Sequence, residues 1–116
     1  MPRSQIVALA VATRSSVAPT AFASDAELAA WLGVNPTLLA RYRNGHRPRG
    51  QTAWRLIGLD AVLAALEQIF DPRIIPDWLL GVNAHLGDQV PLDVLREGRV
   101  AEVMAAVEAE RTGSFA

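Results

Sequence analysis

The punctuation of residues 24 to 45 restricts this chain more than any other feature. Ser24-Asp25-Ala26-Glu27 has the form of a capping box, in which a serine hydroxyl and a glutamate carboxylate satisfy two amide donors that a helix start leaves unpaired. The helix it opens runs over Asp25–Leu32 and stops at Gly33, a residue free to take the left-handed conformation a tight turn demands. Asn35 and Pro36 restart a helix at once. Asparagine is a good N-cap, and proline suits the first helical position, where no donor is needed. The second helix covers Pro36–Arg43 and ends at Asn44-Gly45. Two helices meet at a steep angle only where a small residue lies at their contact and a glycine makes the turn. Ala29 and Gly33 are those residues, and Leu28, Leu32, Val34, Leu39 and Tyr42 fall on the inward faces. The stretch predicts a helix-turn-helix.

Downstream the pattern stays helical. Between Gln51 and Phe70, Leu56, Leu59, Leu63, Leu66 and Phe70 recur at spacings of three and four, with Trp54, Ile57, Val62 and Ile69 on the flanks. A helix this apolar is buried on more than one side, so it is the expected spine and also a candidate dimer seam. Asp71-Pro72 ends it. A short turn of helix over Asp77–Leu80, a loop from Gly81 to Val90, a helix from Pro91 to Glu97 and a last helix from Arg99 to Glu110 follow. The last carries Val100, Val103, Met104 and Val107 on one face. Residues 4 to 13 also favour a helix, and Ser15 to Ala23 a loop. The expected fold is all-α: an N-terminal helix-turn-helix region with its central helix (residues 1–70), joined to a small helical C-terminal domain and tail (71–116).

Charge divides at the middle of the chain. Residues 1 to 59 hold seven arginines and two acids, residues 60 to 116 four arginines and ten acids, and no acid occurs between Leu28 and Leu59. A basic half suits a polyanion. In a helix-turn-helix the start of the second helix enters the major groove. Asn35 and Thr37 are therefore candidate contacts to base edges or nearby phosphates. Arg41, Arg43, Asn44, Arg47 and Arg49 are candidates for gripping phosphates or, for the arginines, pairing with guanine. The competing reading is an ordinary helical hairpin with a solvated basic surface.

Other chemistries fall away. Without cysteine there is no thiolate nucleophile, disulfide or Cys-type zinc site. His46 and His85 are far apart with no carboxylate at ligand spacing, so neither a metal nor any other cofactor is expected. No phosphate-binding glycine loop or nucleophile–base set can be assembled, and the chain does not read as an enzyme. Trp31, Trp54 and Trp78 read as packing anchors. With 51% hydrophobic and 20% charged residues the chain can bury a core. No stretch reaches the ~20 apolar residues of a membrane span. The apolar run Ile6 to Ala12 is short for a secretory signal and Arg14 follows it, so a cytoplasmic location is expected.

The C-terminal half carries a family resemblance. Trp78-Leu79, Asn83, Leu86-Gly87, Pro91-Leu92, Leu95, Gly98 and Val103 resemble, in type and spacing, the toxin-binding domain of the Xre/MbcA/ParS antitoxin family, over about residues 77 to 106. Two departures are Val82, where the family often has proline, and Asp88, where it often has a second glycine. The helix-turn-helix with its long apolar helix is similar to the family's N-terminal part, and the resemblance implies an Xre/Cro-like DNA-binding region joined to a small helical toxin-binding domain, in an antitoxin of a type II toxin–antitoxin system. Its partner would be a RES-type, NAD-consuming toxin, whose active-site cleft the C-terminal region would cover. It would also bind operator DNA to repress its own operon, as a homodimer or in a hetero-oligomer with the toxin. Trp78 and Asn83 are candidate toxin contacts on this resemblance, but the preferred reading of both is that they shape the domain's own core and turns. The variable residues around the motif, Arg99, Glu102, Glu108, Glu110 and Arg111, and the tail with Ser114 and Phe115, are further candidates. The rival reading is a stand-alone helix-turn-helix regulator with a C-terminal ligand-sensing or dimerisation domain.

Overall fold

The structure is a computed structural model that describes Phe22 and residues 24–113. Arg3, Arg14, the helix expected over residues 4 to 13, Ser114 and Phe115 lie outside the described residues. Among the described residues six helices follow in order: α1 (Asp25–Leu32), α2 (Pro36–Arg43), α3 (Gly50–Glu67), α4 (Ile75–Leu80), α5 (Pro91–Arg96) and α6 (Val100–Thr112), with a 3-10 turn at Ala84–Leu86 between α4 and α5. Among the described residues there is no strand, only an isolated antiparallel bridge between Asn83 and Gln89. No helix among them is long and apolar enough to cross a membrane.

The first two helices end where their caps dictate. The Ser24 hydroxyl accepts from the Glu27 amide at 3.2 Å, opening α1. At its other end Gly33 has φ +82°, and the Gly33 and Val34 amides donate back to Ala30 and Ala29. This pair of bonds closes a Schellman motif, which needs the left-handed residue in that place. The Asn35 side chain then accepts from the Leu38 amide at 2.8 Å, with Pro36 next in line. Leu28, Ala29, Trp31 and Leu32 from α1 and Leu39 and Tyr42 from α2 are buried between the two helices and the rest of the core.

Helix α3 is the spine. It packs against α1, α4, α5 and α6 and buries Leu56, Leu59, Val62, Leu63 and Leu66. Val62, which the periodicity places on a flank, is fully covered, because neighbours surround the helix on several sides. The helix ends at Glu67 rather than Phe70, although the Phe70 amide still reaches the Leu66 carbonyl at 2.9 Å. Trp54 departs from expectation more sharply: it is 60% exposed and is no packing anchor. Trp31 is buried and Trp78 half-buried, as anchors should be. Gly58 lies where α3 meets the α5–α6 corner. A Cβ there would stand 2.8 Å from Val100 Cγ2 and 3.2 Å from Leu95 Cδ1, so the close approach of these elements requires glycine.

Helix α4 starts at Ile75, two residues before the expected Asp77, since Pro76 in its first turn favours an early start. The last helix likewise runs on to Thr112. One contiguous hydrophobic cluster includes residues from all six helices, and polar bonds cross the boundary expected at residue 70. Trp31 Nε1 donates to the Leu92 carbonyl at 3.0 Å. Arg96 Nε donates to the Trp31 carbonyl at 2.9 Å, while Leu32 O accepts from Thr52 Oγ1 and from Arg55 Nη1, each at 3.2 Å. Arg55 Nε in turn donates to Arg96 O at 3.0 Å. A helix leaves its last carbonyls without internal partners. Here side chains from α3 and α5 supply those partners and hold α1 in place. Burial, and next the nearby Arg96, hold the Arg55 guanidinium below its ordinary pKa.

Candidate functional site

Helix α2 turns one face inward and one to solvent. Leu39 and Tyr42 are buried, with Leu38 and Arg43 half-buried beside them, whereas Thr37, Ala40, Arg41 and Asn44 are exposed. Those four occupy positions i, i+3, i+4 and i+7, which is one stripe of a helix. The chain beyond the helix exposes His46, Arg47 and Arg49 and buries Pro48. The His46 ring stacks on buried Tyr42, with centroids 5.8 Å apart and planes at 13°. Burial raises the Tyr42 phenol above its ordinary pKa, so the ring under His46 is a neutral packing element.

The expected polar contacts on this face divide by what else they do. Arg43 Nη1 donates to Asp25 Oδ2 at 3.0 Å, with the arginine side chain only 25% exposed. It joins α2 to the start of α1. The Asn35 carbonyl oxygen caps α2, and Asn44 Nδ2 donates to the Ala40 carbonyl at 3.1 Å. Arg41, Arg47 and Arg49 make no ion pair among the described residues, and with Thr37 they are the side chains left open to a ligand. Ala40 belongs to the same stripe. A charge pattern does not single it out, but its spacing from Thr37 does.

The C-terminal candidates are more heavily engaged. Asn83 is only 7% exposed. Its side chain accepts from the His85 amide at 2.9 Å, and its backbone pairs with Gln89, Leu86 and Asp88. It therefore organises the 3-10 turn. Asp88 takes φ +62°, the only positive φ at a non-glycine position among the described residues. Trp78 Nε1 reaches Glu110 Oε1 at 3.4 Å, linking α4 to α6. Arg99 bonds to Gln89 at 3.1 Å, to Glu97 at 3.0 Å and to Glu102, and the two carboxylates, Glu102 first and then Glu97, raise its pKa. Arg111 Nε donates to Glu108 Oε2 at 2.8 Å, which lowers the pKa of that carboxyl. Two further features lie here without a sequence signal. One is the apolar exposure of Ile74, Leu80 and, at 72%, Val82 around α4. The other is an open recess of about 560 Å³ lined by Asp88, Gln89, Val90, Asp93, Arg96 and Glu97.

No family model, curated protein or solved structure matches this chain. The site must be judged on its own chemistry. Among the described residues this face bears a threonine and three arginines that make no ion pair, a chemistry suited to an anionic ligand. No group of three or more histidines, cysteines or acids among the described residues could hold a metal ion.

Proposed function

We propose that this chain is a DNA-binding antitoxin: a helix-turn-helix protein that binds operator DNA through α2 and the loop after it, and a partner toxin through its C-terminal half. The observation that carries the DNA part is the open stripe of α2, with Thr37 and Arg41 exposed and Arg47 and Arg49 beyond its end. Phosphate contacts by arginine supply most of the sequence-independent affinity for duplex DNA. The turn geometry at Gly33 and the restart at Asn35-Pro36 support the same reading. Paired half-sites would call for a dimer.

The toxin part rests on the resemblance of residues 77 to 106 to the Xre/MbcA/ParS antitoxins. Two features support it. Asp88 holds a left-handed backbone at the position where that family often has glycine, which is what a shared turn would require. The apolar side chains of Leu80 and Val82 flank Trp78 and precede Asn83, and a partner protein would cover them. The partner would be a RES-type toxin that consumes NAD, neutralised by coverage of its cleft. Because Asn83 is engaged in the turn, contact would fall on Leu80, Val82, the acids lining the recess and the chain after α6.

Two measurements test the reading. Fluorescence anisotropy with duplexes from upstream of the gene, over a salt series, should give Kd values that rise steeply with salt, and Arg47→Ala with Arg49→Ala should flatten the slope by about two. Unchanged binding in that variant would remove the DNA assignment. Co-expression with the adjacent reading frame should rescue growth and co-purify the two chains. Growth arrest despite this chain would remove the toxin assignment.

A further inference from the structure

We infer that α2 reads a guanine with Arg41 and a thymine methyl with Thr37 and Ala40, so that its operator holds these two bases within about two base pairs of each other. The inference rests on the DNA-binding reading and adds the base preference of the same face. It begins from the state of each side chain on the helix. Guanine is recognised by an arginine that reaches N7 and O6 with both arms of its fork, which favours an exposed guanidinium that no neighbouring carboxylate holds against the protein. Arg43 is tied to Asp25 and half-buried. Arg47 and Arg49 lie beyond the helix end, where they suit phosphates. Among the described residues, Arg41 is the one arginine that lies on the helix stripe and makes no ion pair.

Adenine readout is disfavoured by the same accounting. It needs an Asn or Gln amide offering its acceptor and its donor together. Asn35 directs its side-chain oxygen to the Leu38 amide and Asn44 one of its two N–H groups to the Ala40 carbonyl, so the plane of each amide is set by its own helix rather than by a base. What remains at the front of the stripe is apolar and small: the Thr37 methyl and Ala40. Methyl groups such as these pack on the C5 methyl of thymine. Ala40 also lets the helix backbone approach the groove floor closely. Thr37 and Arg41 are four residues apart, which at 1.5 Å per residue is about 6 Å along the helix. With base pairs rising 3.4 Å, that span covers about two of them.

The test is selection from a randomised duplex library with the full chain, Arg41→Ala and Arg41→Lys, each checked for an unchanged far-UV circular dichroism spectrum. The unsubstituted chain should select sites with a guanine near a thymine. Changing that guanine to adenine should weaken its binding about 5- to 150-fold. Arg41→Ala should bind both duplexes equally. Arg41→Lys, which keeps the charge and loses the fork, should keep affinity for unrelated duplexes and lose the guanine preference. Deoxyuridine in place of the thymine removes only the C5 methyl and should weaken binding about fourfold. If Arg41→Ala still selects the guanine, or weakens selected and unrelated duplexes by the same factor, Arg41 is no base reader and the inference is overturned. If the unsubstituted chain binds no duplex at all, the DNA-binding reading itself is overturned.

Discussion

Gly58→Ala puts the packing of α3 against the α5–α6 corner to a direct test. Two effects oppose each other. Alanine is better than glycine in a helix interior by about 1 kcal/mol, which would stabilise α3. Against it, the new Cβ stands 2.8 Å from Val100 Cγ2 and 3.2 Å from Leu95 Cδ1, where carbon atoms prefer about 3.5–4.0 Å. The Leu95 methyl ends a flexible side chain and can yield. Val100 cannot, because a β-branched residue in a helix has essentially one χ1 rotamer. Helices α3 and α6 must therefore move apart, and forced overpacking of this kind costs about 1–3 kcal/mol. At the middle of that range, about 2 kcal/mol, the clash outweighs the helix gain, and the net loss should be about 1 kcal/mol, or roughly 4 °C in Tm for a chain of this size. Urea denaturation followed by circular dichroism measures it, and a double-mutant cycle with Val100→Ala isolates the cause. Removing Cγ2 relieves the contact, so the double variant should be more stable than the sum of the single losses by about 1 kcal/mol. A Gly58→Ala chain as stable as the original, or strict additivity in the cycle, would refute the reasoning.

Three other outcomes follow from particular bonds and angles. Trp31→Phe keeps most of the buried ring but leaves the Leu92 carbonyl without its donor; the loss should be about 1–3 kcal/mol in the same denaturation assay. Asp88→Gly relieves a left-handed backbone at an exposed turn; it should stabilise the chain by about 0.5–1 kcal/mol, after the greater freedom of glycine in the unfolded state is deducted, and raise Tm accordingly. The carboxyl pKa values of Asp71, bonded to Arg73, and Glu108, bonded to Arg111, lie below their ordinary values. Their contribution is therefore complete above the ordinary carboxylate range, begins to fall as pH drops through about 4, and is gone below the lowered values. Both pairs are exposed, so added salt should shrink this acid limb of a Tm-versus-pH series.

Local chemistry made the first two helices legible in the sequence. Ser24, Gly33, Asn35 and Pro36 act on amides and carbonyls within five residues of themselves, and both helices run over the expected residues. The all-α class was legible for the same reason. Contacts made at long range were not. Gly58 reads as an ordinary helix glycine until Val100 is placed beside it, and Trp54 reads as core until the face of α3 that stays open is known. The arginines of the basic segment look alike in sequence. Only the placement of Asp25, eighteen residues before Arg43, separates the one that joins two helices from those that face solvent. In the C-terminal half, Asn83 is conspicuous by type, yet its role as organiser of a turn depends on the return of Gln89 and Asp88 to its backbone.

The bonds at the carbonyl end of α1 have a consequence for how such a gene could be recombined. Trp31 and Leu32 find their partners in Thr52, Arg55, Leu92 and Arg96. Helix α1 is thus tied to α3 and to the α5 region by bonds that an exchange of either would break. Grafted onto a different C-terminal half, the α1–α2 unit would lose the donors from Arg96 and the acceptor at Leu92, and the angle at which α2 is presented would be free to drift. Altering the surface of this scaffold is easier by substitution at exposed positions than by exchange of whole segments.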